Sequence, residues 1–192
     1  MIDLHTNDDK HTHVSLNCED VIFMAMQHLL SHGHSKIAFW GSDELPNYYI
    51  RCFTGYQRSM SEAKLIMQPE WLQTSANGPS NTSAAVDRLL DCAVPPTAVC
   101  CMSDLAAIYG ISRVQERGLS VPKDLSFISI DDILLSRYIT PPLTSVSYDK
   151  SAMGRTAAKL LLSKIAGEPV QSKTISKLTL AERRSVRSIV EL

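Results

Sequence analysis

The sequence predicts an α/β fold with a doubly wound, mainly parallel sheet flanked by helices. Three observations carry that expectation. Short apolar runs alternate with amphipathic stretches of helical period along most of the 192 residues. Residues 95–132 compress the pattern into strand, helix and strand, and a right-handed crossover lays two such strands parallel. Both strands end in polar residues, Ser103-Asp104 and Asp131-Asp132. The carboxyl ends of parallel strands share one edge, where open α/β sheets bind ligands.

Taken in order, residues 1–16 read as a strand end followed by a loop. Asn17 is placed to cap a helix over 17–34. Glu19 and Asp20 suit its positive end, Ile22, Met26 and Leu29 make an apolar stripe, and Gly33 ends it. A strand over 37–40 leads into Gly41-Ser42-Asp43. In the next helix, 47–63, Tyr49, Phe53, Tyr56 and Met60 recur at core-facing spacing. A short strand over 71–74 and a turn-rich loop precede a helix that Ser80 or Asn81 caps and that runs through Ala93. The run 97–102 is a buried strand. It stops at Ser103-Asp104, where a helix begins with Leu105, Ile108, Ile111 and Val114 inward and Arg113, Glu116 and Arg117 outward. Gly118 sits where a C-terminal glycine belongs, and Pro122 prevents restart. A second buried strand covers 125–130. Residues 133–138 read as helical or turn-like, and Pro141-Pro142 imposes an extended approach to a strand over 143–147. A helix over 151–166 turns Met153, Ala157, Leu160 and Leu161 inward and ends at Gly167. The tail carries two strand-like runs, 173–180 and 185–190.

Composition bounds the function. The chain is 44% hydrophobic and 20% charged, with a formal net charge of −1, as in ordinary globular proteins. A nucleic-acid-binding domain usually carries a basic face, so this stretch is not expected to grip DNA itself. The five cysteines lack C-x-x-C spacing, which disfavours a zinc framework and favours a reducing cytoplasm. No apolar run approaches the ~20 residues of a membrane span, and the first residues show no signal-peptide pattern. His5, His11 and His13 lie in a polar stretch with no Cys or Glu to complete a ligand set. No metal and no cofactor is expected. Phosphate-loop, dinucleotide and nucleophile-elbow motifs are missing, so an enzyme ranks third among the function classes.

Several separated motifs make the reading specific. They are Pro96, Ala98, Ser103, Asp104, Ala107 and Gly110; Gly118, Val121, Pro122, Asp124, Leu125 and Ser126; Asp131-Asp132; and Pro141-Pro142-Leu143-Thr144-Ser145-Val146. Residues 30–37 come close to an HLxxLGHxxI pattern, and Leu180-x-x-Arg183-x-Ser185 closes the series. In this order and spacing they resemble the effector-binding core of lactose-repressor/galactose-repressor (LacI/GalR) family transcription regulators. The resemblance covers nearly the whole chain but only the latter part of such a regulator.

That resemblance implies a type I periplasmic-binding-protein-like fold with a truncated first lobe. Residues 17–147 with 178–192 would form the second lobe, and 1–16 with 148–177 the remnant of the first. It implies a small polar effector, a sugar or nucleobase, held between lobes of a cytoplasmic homodimer. DNA would be reached only through a helix-turn-helix domain that this chain lacks. The site residues it implies are Asp131, which would accept hydrogen bonds from hydroxyls or amines, and Ser103, where relatives often carry asparagine. Tyr148 follows the lobe-crossing strand and could stack on the ligand. Asp3 corresponds to an acid at a strand end in the other lobe. Asn77 lies in a loop that often touches ligand. Relatives often place an arginine three residues before the glycine matched by Gly55. Cys52 holds that position here, and Arg51 lies one residue earlier, rotated by ~100° on a helix. Asp104 reads as a helix cap. Because the first lobe is incomplete, the apolar face of the helix over 151–166 is expected to drive self-association, and effector affinity is expected to be weak. The alternative is a stand-alone periplasmic-type sugar-binding protein, which shares the fold but would need export despite five unpaired cysteines.

Overall fold

The computed structural model describes residues 11–42, 44, 46–74 and 79–189. Among these residues eight strands and five α-helices occur in the order β1 (Val14–Leu16), α1 (Cys18–Ser31), β2 (Ile37–Gly41), α2 (Pro46–Glu62), β3 (Leu72–Thr74), α3 (Pro79–Asp91), β4 (Ala98–Cys101), α4 (Asp104–Glu116), β5 (Ser126–Ile130), β6 (Thr144–Tyr148), α5 (Lys150–Ile165), β7 (Lys173–Ile175) and β8 (Leu178–Ala181). Six strands form one sheet in the order β3-β2-β4-β5-β6-β8, parallel except for β8. This is the α/β, mainly parallel architecture that the alternation of runs implies. β1 and β7 pair in parallel as a separate two-stranded sheet.

The central strands β2, β4 and β5 are buried at every position, and β2 and β4 are apolar throughout, as strands covered on both faces tend to be. Alternate side chains point to opposite sides. Ile37 and Phe39 of β2, Cys100 of β4, Ile128 and Ile130 of β5 and Val146 of β6 meet Ile22, Met26 and Leu29 of α1 and Tyr56 and Met60 of α2. Ala38, Trp40, Val99, Cys101 and Phe127 face the other way, onto Val86 and Leu89 of α3 and Ile111 and Val114 of α4. α1 and α2 cross closely at Gly55, where any Cβ would run into the backbone carbonyl of Glu19. Among the described residues no helix is long and apolar enough to cross a membrane. None of the five cysteines is in a disulfide, and Cys18, Cys52, Cys100 and Cys101 are buried.

Helix ends follow local chemistry. α1, α4 and α5 each stop at a left-handed glycine, Gly33 (φ 85°), Gly118 (φ 75°) and Gly167 (φ 77°). In each, the next N–H reaches back to a carbonyl of the last turn, as from His34 to Leu29, Leu119 to Val114 and Glu168 to Ser163. α2 closes the same way without glycine: Lys64 takes φ 56° and Leu65 N–H reaches Met60 O at 2.9 Å.

Several expectations are corrected. Residues 14–16 are not loop: Val14 and Leu16 are buried and β1 finds a parallel partner in β7. The run 173–180 is two strands in two different sheets, and residues 185–189 are not a strand. The Asn17 side chain does not cap α1; its amide donates to the Asp20 carboxylate at 2.6 Å. α3 begins earlier than a Ser80 or Asn81 cap implies, at Pro79, whose ring presets helical φ. On α4, Leu105 is exposed, while Ala107, Gly110, Ile111 and Val114 are buried. On α5, Met153 is buried but Leu161 is 60% exposed, as Leu162 (66%) and Ile165 (74%) are.

Candidate functional site

The carboxyl ends of β2, β4, β5 and β6 open on one edge of the larger sheet. At the end of β4, Ser103 turns from extended backbone into α4, and its Oγ accepts the Ala106 N–H at 3.2 Å. Ser103 is therefore the cap, and Asp104 has another role. Its carboxylate is 1% exposed and lies at a helix N-terminus, where negative charge is favoured. Oδ1 accepts hydrogen bonds from the hydroxyls of Ser129 on β5 and Ser145 on β6, the latter at 2.7 Å. Oδ2 accepts Ser136 Oγ at 2.5 Å and the Ile133 N–H at 2.7 Å. One carboxylate thus ties α4 to β5, to β6 and to the 3₁₀ turn Leu134–Arg137.

The acid pair after β5 sits in left-handed backbone, with φ 109° at Asp131 and 50° at Asp132. Such conformations cost about 1–3 kcal/mol each for residues with a Cβ and concentrate at functional sites. Three successive N–H groups hold the pair: Asp131 donates to Val146 O (2.9 Å), Asp132 to Ser145 Oγ (3.0 Å) and Ile133 to Asp104. The two side chains then part. Asp132 takes Arg183 Nη2 at 2.5 Å and Arg137 Nη2 at 3.3 Å. Burial pushes its carboxyl up, but the hydrogen bond and charge of Arg183, helped by Arg137, outweigh that and hold it below the usual carboxylate range. Arg183 also donates to Leu143 O at 2.6 Å, and Ser185 Oγ to Phe127 O at 2.6 Å. The closing Leu-x-x-Arg-x-Ser motif is thus a latch onto β5 and β6.

Asp131 turns toward the end of β6. Tyr148 Oη donates to its Oδ1 at 3.4 Å, Lys150 Nζ donates to its backbone carbonyl, and the same ammonium lies 4.6 Å from the Tyr148 ring centroid. A carboxylate, a phenol and an ammonium therefore meet at one strand edge. Together they offer an acceptor, a hydroxyl and a flat ring to a polar ligand, with a cation alongside.

Of the six residues singled out from the sequence, Asp131 and Tyr148 come together, and Ser103 lies on the neighbouring strand end, linked through Asp104 and Ser145. Arg51 is exposed on α2, while Cys52, at the position matched to an arginine, is fully buried. Burial and the neighbouring Cys18 thiol push the Cys52 thiol well up, with Tyr48 opposing. Asp3 and Asn77 lie outside the described residues. Sequence reasoning missed Lys150 and the divided roles of the acid pair. The Arg183 motif was the one visible signal for the latter. Among the described residues, the histidine and carboxylate side chains close enough to share an ion are His28, His32 and Glu182, at the opposite edge of the sheet.

The periplasmic binding protein-like domain family matches residues 26–186. The helix-turn-helix-type transcriptional repressor PurR of Haemophilus influenzae is 36% identical over 172 residues, 88% of this chain and 51% of that protein. The chain thus spans about half the length of the curated relatives it matches. A LacI-type transcriptional regulator from Bacillus cereus subsp. cytotoxis superposes with a TM-score of 0.87 at 26% identity, covering 96% of this chain and 66% of that one. The transcriptional regulator CelR, solved as a cellobiose complex, gives 0.85 at 25% identity over 95% of this chain and 56% of its own. Sequence family, relatives and fold agree, and the chain belongs to the periplasmic binding protein-like domain family in the form carried by LacI-type transcription regulators.

Proposed function

We propose that this chain is the effector-sensing core of a LacI/GalR-type regulator and binds a small polar molecule, a sugar or a nucleobase, at the carboxyl edge of the six-stranded sheet. The observation that carries the reading is Asp131, held in left-handed backbone by three captured N–H groups and faced by Tyr148. Its carboxylate accepts ligand hydroxyls or amines, Tyr148 stacks on or bonds the ligand, and Ser103 adds a short donor-acceptor. The core acts by binding and catalyses no reaction. The cellobiose complex of CelR supports the sugar class.

Residues 17–147 with 178–192 form one lobe of this reading, and 1–16 with 148–177 belong to the other. The separate β1–β7 pair, with α5 against β1, supports that division. The chain then passes between lobes just after β1, at the end of β6 and between β7 and β8. Tyr148 and Lys150 lie at the second passage, so a ligand that engages them biases lobe orientation. Coupling of that kind to DNA affinity amounts to ~1–3 kcal/mol. DNA is contacted by a helix-turn-helix elsewhere in the parent regulator, in the cytoplasm. The exposed Leu161, Leu162 and Ile165 of α5 support self-association as a homodimer.

The test is thermal unfolding of the purified chain against monosaccharides, disaccharides and nucleobases, beside Asp131→Ala. A ligand that raises Tm in the parent chain and not in the variant is the expected result. An equal shift in both refutes the assignment of Asp131.

A further inference from the structure

At the edge opposite the candidate effector site, two histidines and a carboxylate converge without a role in anything described above. His28 and His32 stand one turn apart at the end of α1, so their rings share a face, with centroids 4.2 Å apart. Glu182, just after β8, completes the group. One donor atom from each residue lies within 4.8 Å of the other two. From this geometry we propose that His28, His32 and Glu182 bind one divalent first-row ion of the imidazole-preferring class, such as Zn²⁺, Co²⁺ or Ni²⁺.

Three observations converge on this. First, His28 is only 8% exposed, and its Nε2 is buried with no hydrogen-bond partner among the described residues. A buried polar atom left bare is rare and calls for an explanation; a bound cation supplies one. Second, His32 Nδ1 lies 2.8 Å from the backbone carbonyl of His28. A carbonyl only accepts, so Nδ1 carries the proton and Nε2 keeps its lone pair for a metal. Orienting a ligating imidazole through its other nitrogen is the usual second layer of a metal site. Third, the donor set is right: two imidazoles and a carboxylate leave a coordination position for water, and imidazoles at i and i+4 on one helix face are a recurrent zinc arrangement.

Metal–nitrogen bonds of about 2.0–2.1 Å in tetrahedral geometry put ligand atoms roughly 3.3 Å apart. The three donors must therefore draw together, and the exposed Glu182 side chain has the freedom to do most of that. An ion there would clamp the end of α1 to the segment after β8. Glu182 immediately precedes Arg183, whose guanidinium holds Asp132.

Co²⁺ titration followed by absorption, with calorimetry of Zn²⁺, tests the proposal on the full chain. The expected result is one equivalent with nitrogen/oxygen-type visible bands and no thiolate charge-transfer band. His32→Ala, on a half-buried ring that leaves the core intact, should weaken binding about tenfold or more, and Glu182→Gln should weaken it too. The triple variant His5→Ala, His11→Ala, His13→Ala should bind as the parent does. The proposal is overturned if the parent chain binds no ion, if a thiolate band appears, if His32→Ala leaves the affinity unchanged, or if the triple variant loses binding.

Discussion

Replacing Asp104 tests how the strand edge is held. Its carboxylate accepts three hydroxyls, from Ser129, Ser136 and Ser145, and one backbone N–H, from Ile133. In Asp104→Ala all four donors lose their acceptor at once. The hydroxyls can rotate toward other acceptors, but the Ile133 N–H cannot, and one stranded amide alone costs about 1–3 kcal/mol. Hydrogen bonds to a charged acceptor contribute about 1.5–3 kcal/mol each, so even with the hydroxyls partly re-satisfied a loss of about 4 kcal/mol is expected. Asp104→Asn keeps the shape and one oxygen. That oxygen must face Ile133, which turns the NH₂ toward Ser129 and Ser145. Both hydroxyls must then accept, although Ser145 Oγ already accepts the Asp132 N–H at 3.0 Å. Weaker neutral bonds and one crowded hydroxyl should cost about 1–2 kcal/mol. Urea unfolding reads the difference as a fall in midpoint at constant slope. An Asp104→Ala variant within about 1 kcal/mol of the parent would refute the reasoning, because the carboxylate would then be no more than a helix-end charge.

Two further predictions concern stability. His34 is 1% exposed, with Nε2 donating to Arg187 O at 3.0 Å and Nδ1 2.9 Å from Thr97 Oγ1. Burial, opposed by the Arg187 carbonyl, brings its imidazole down to about 4. The unfolded chain takes up that proton near pH 6.5 and the folded one does not. Stability from the neutral ring is therefore full above about pH 6.5 and declines as pH falls toward 4, by a total of about 3 kcal/mol. Unfolding free energies measured across that window should show the slope, and His34→Gln should flatten it; an unchanged slope counts against the assignment. Separately, Lys64→Gly relieves a left-handed Cβ at the end of α2. The gain, about 0.5–1 kcal/mol after the added freedom of the unfolded chain, should raise Tm by about 2 °C; a lowered Tm would refute it.

What could be read in advance and what could not divides by the range of the interactions. Gly33, Gly118 and Gly167 mark helix ends because the left-handed turn they permit is a property of the residue itself. The same turn at Lys64 left no mark, since there the packing of Leu65 back onto α2 overrides a local preference. Residues 97–102 and 125–130 are legible as buried strands because both faces of a central parallel strand want apolar side chains. The run 173–180 is not, because its division between two sheets is decided by partners, β1 and β6, far away in the chain.

The strand edge follows the same rule more sharply. That Asp131-Asp132 ends a strand at the ligand-binding edge of the sheet is written locally. Which of the two carboxylates faces outward is not. Asp132 is claimed by Arg183, 51 residues later, and its N–H by Ser145, 13 residues later. Those contacts rotate the pair and leave Asp131 to Tyr148 and Lys150. The site therefore depends less on the two acids than on three distant side chains, Asp104, Ser145 and Arg183, that hold them in backbone geometry they would otherwise leave. A chain that kept Asp131-Asp132 but lost any one of those three would keep the motif and lose its orientation.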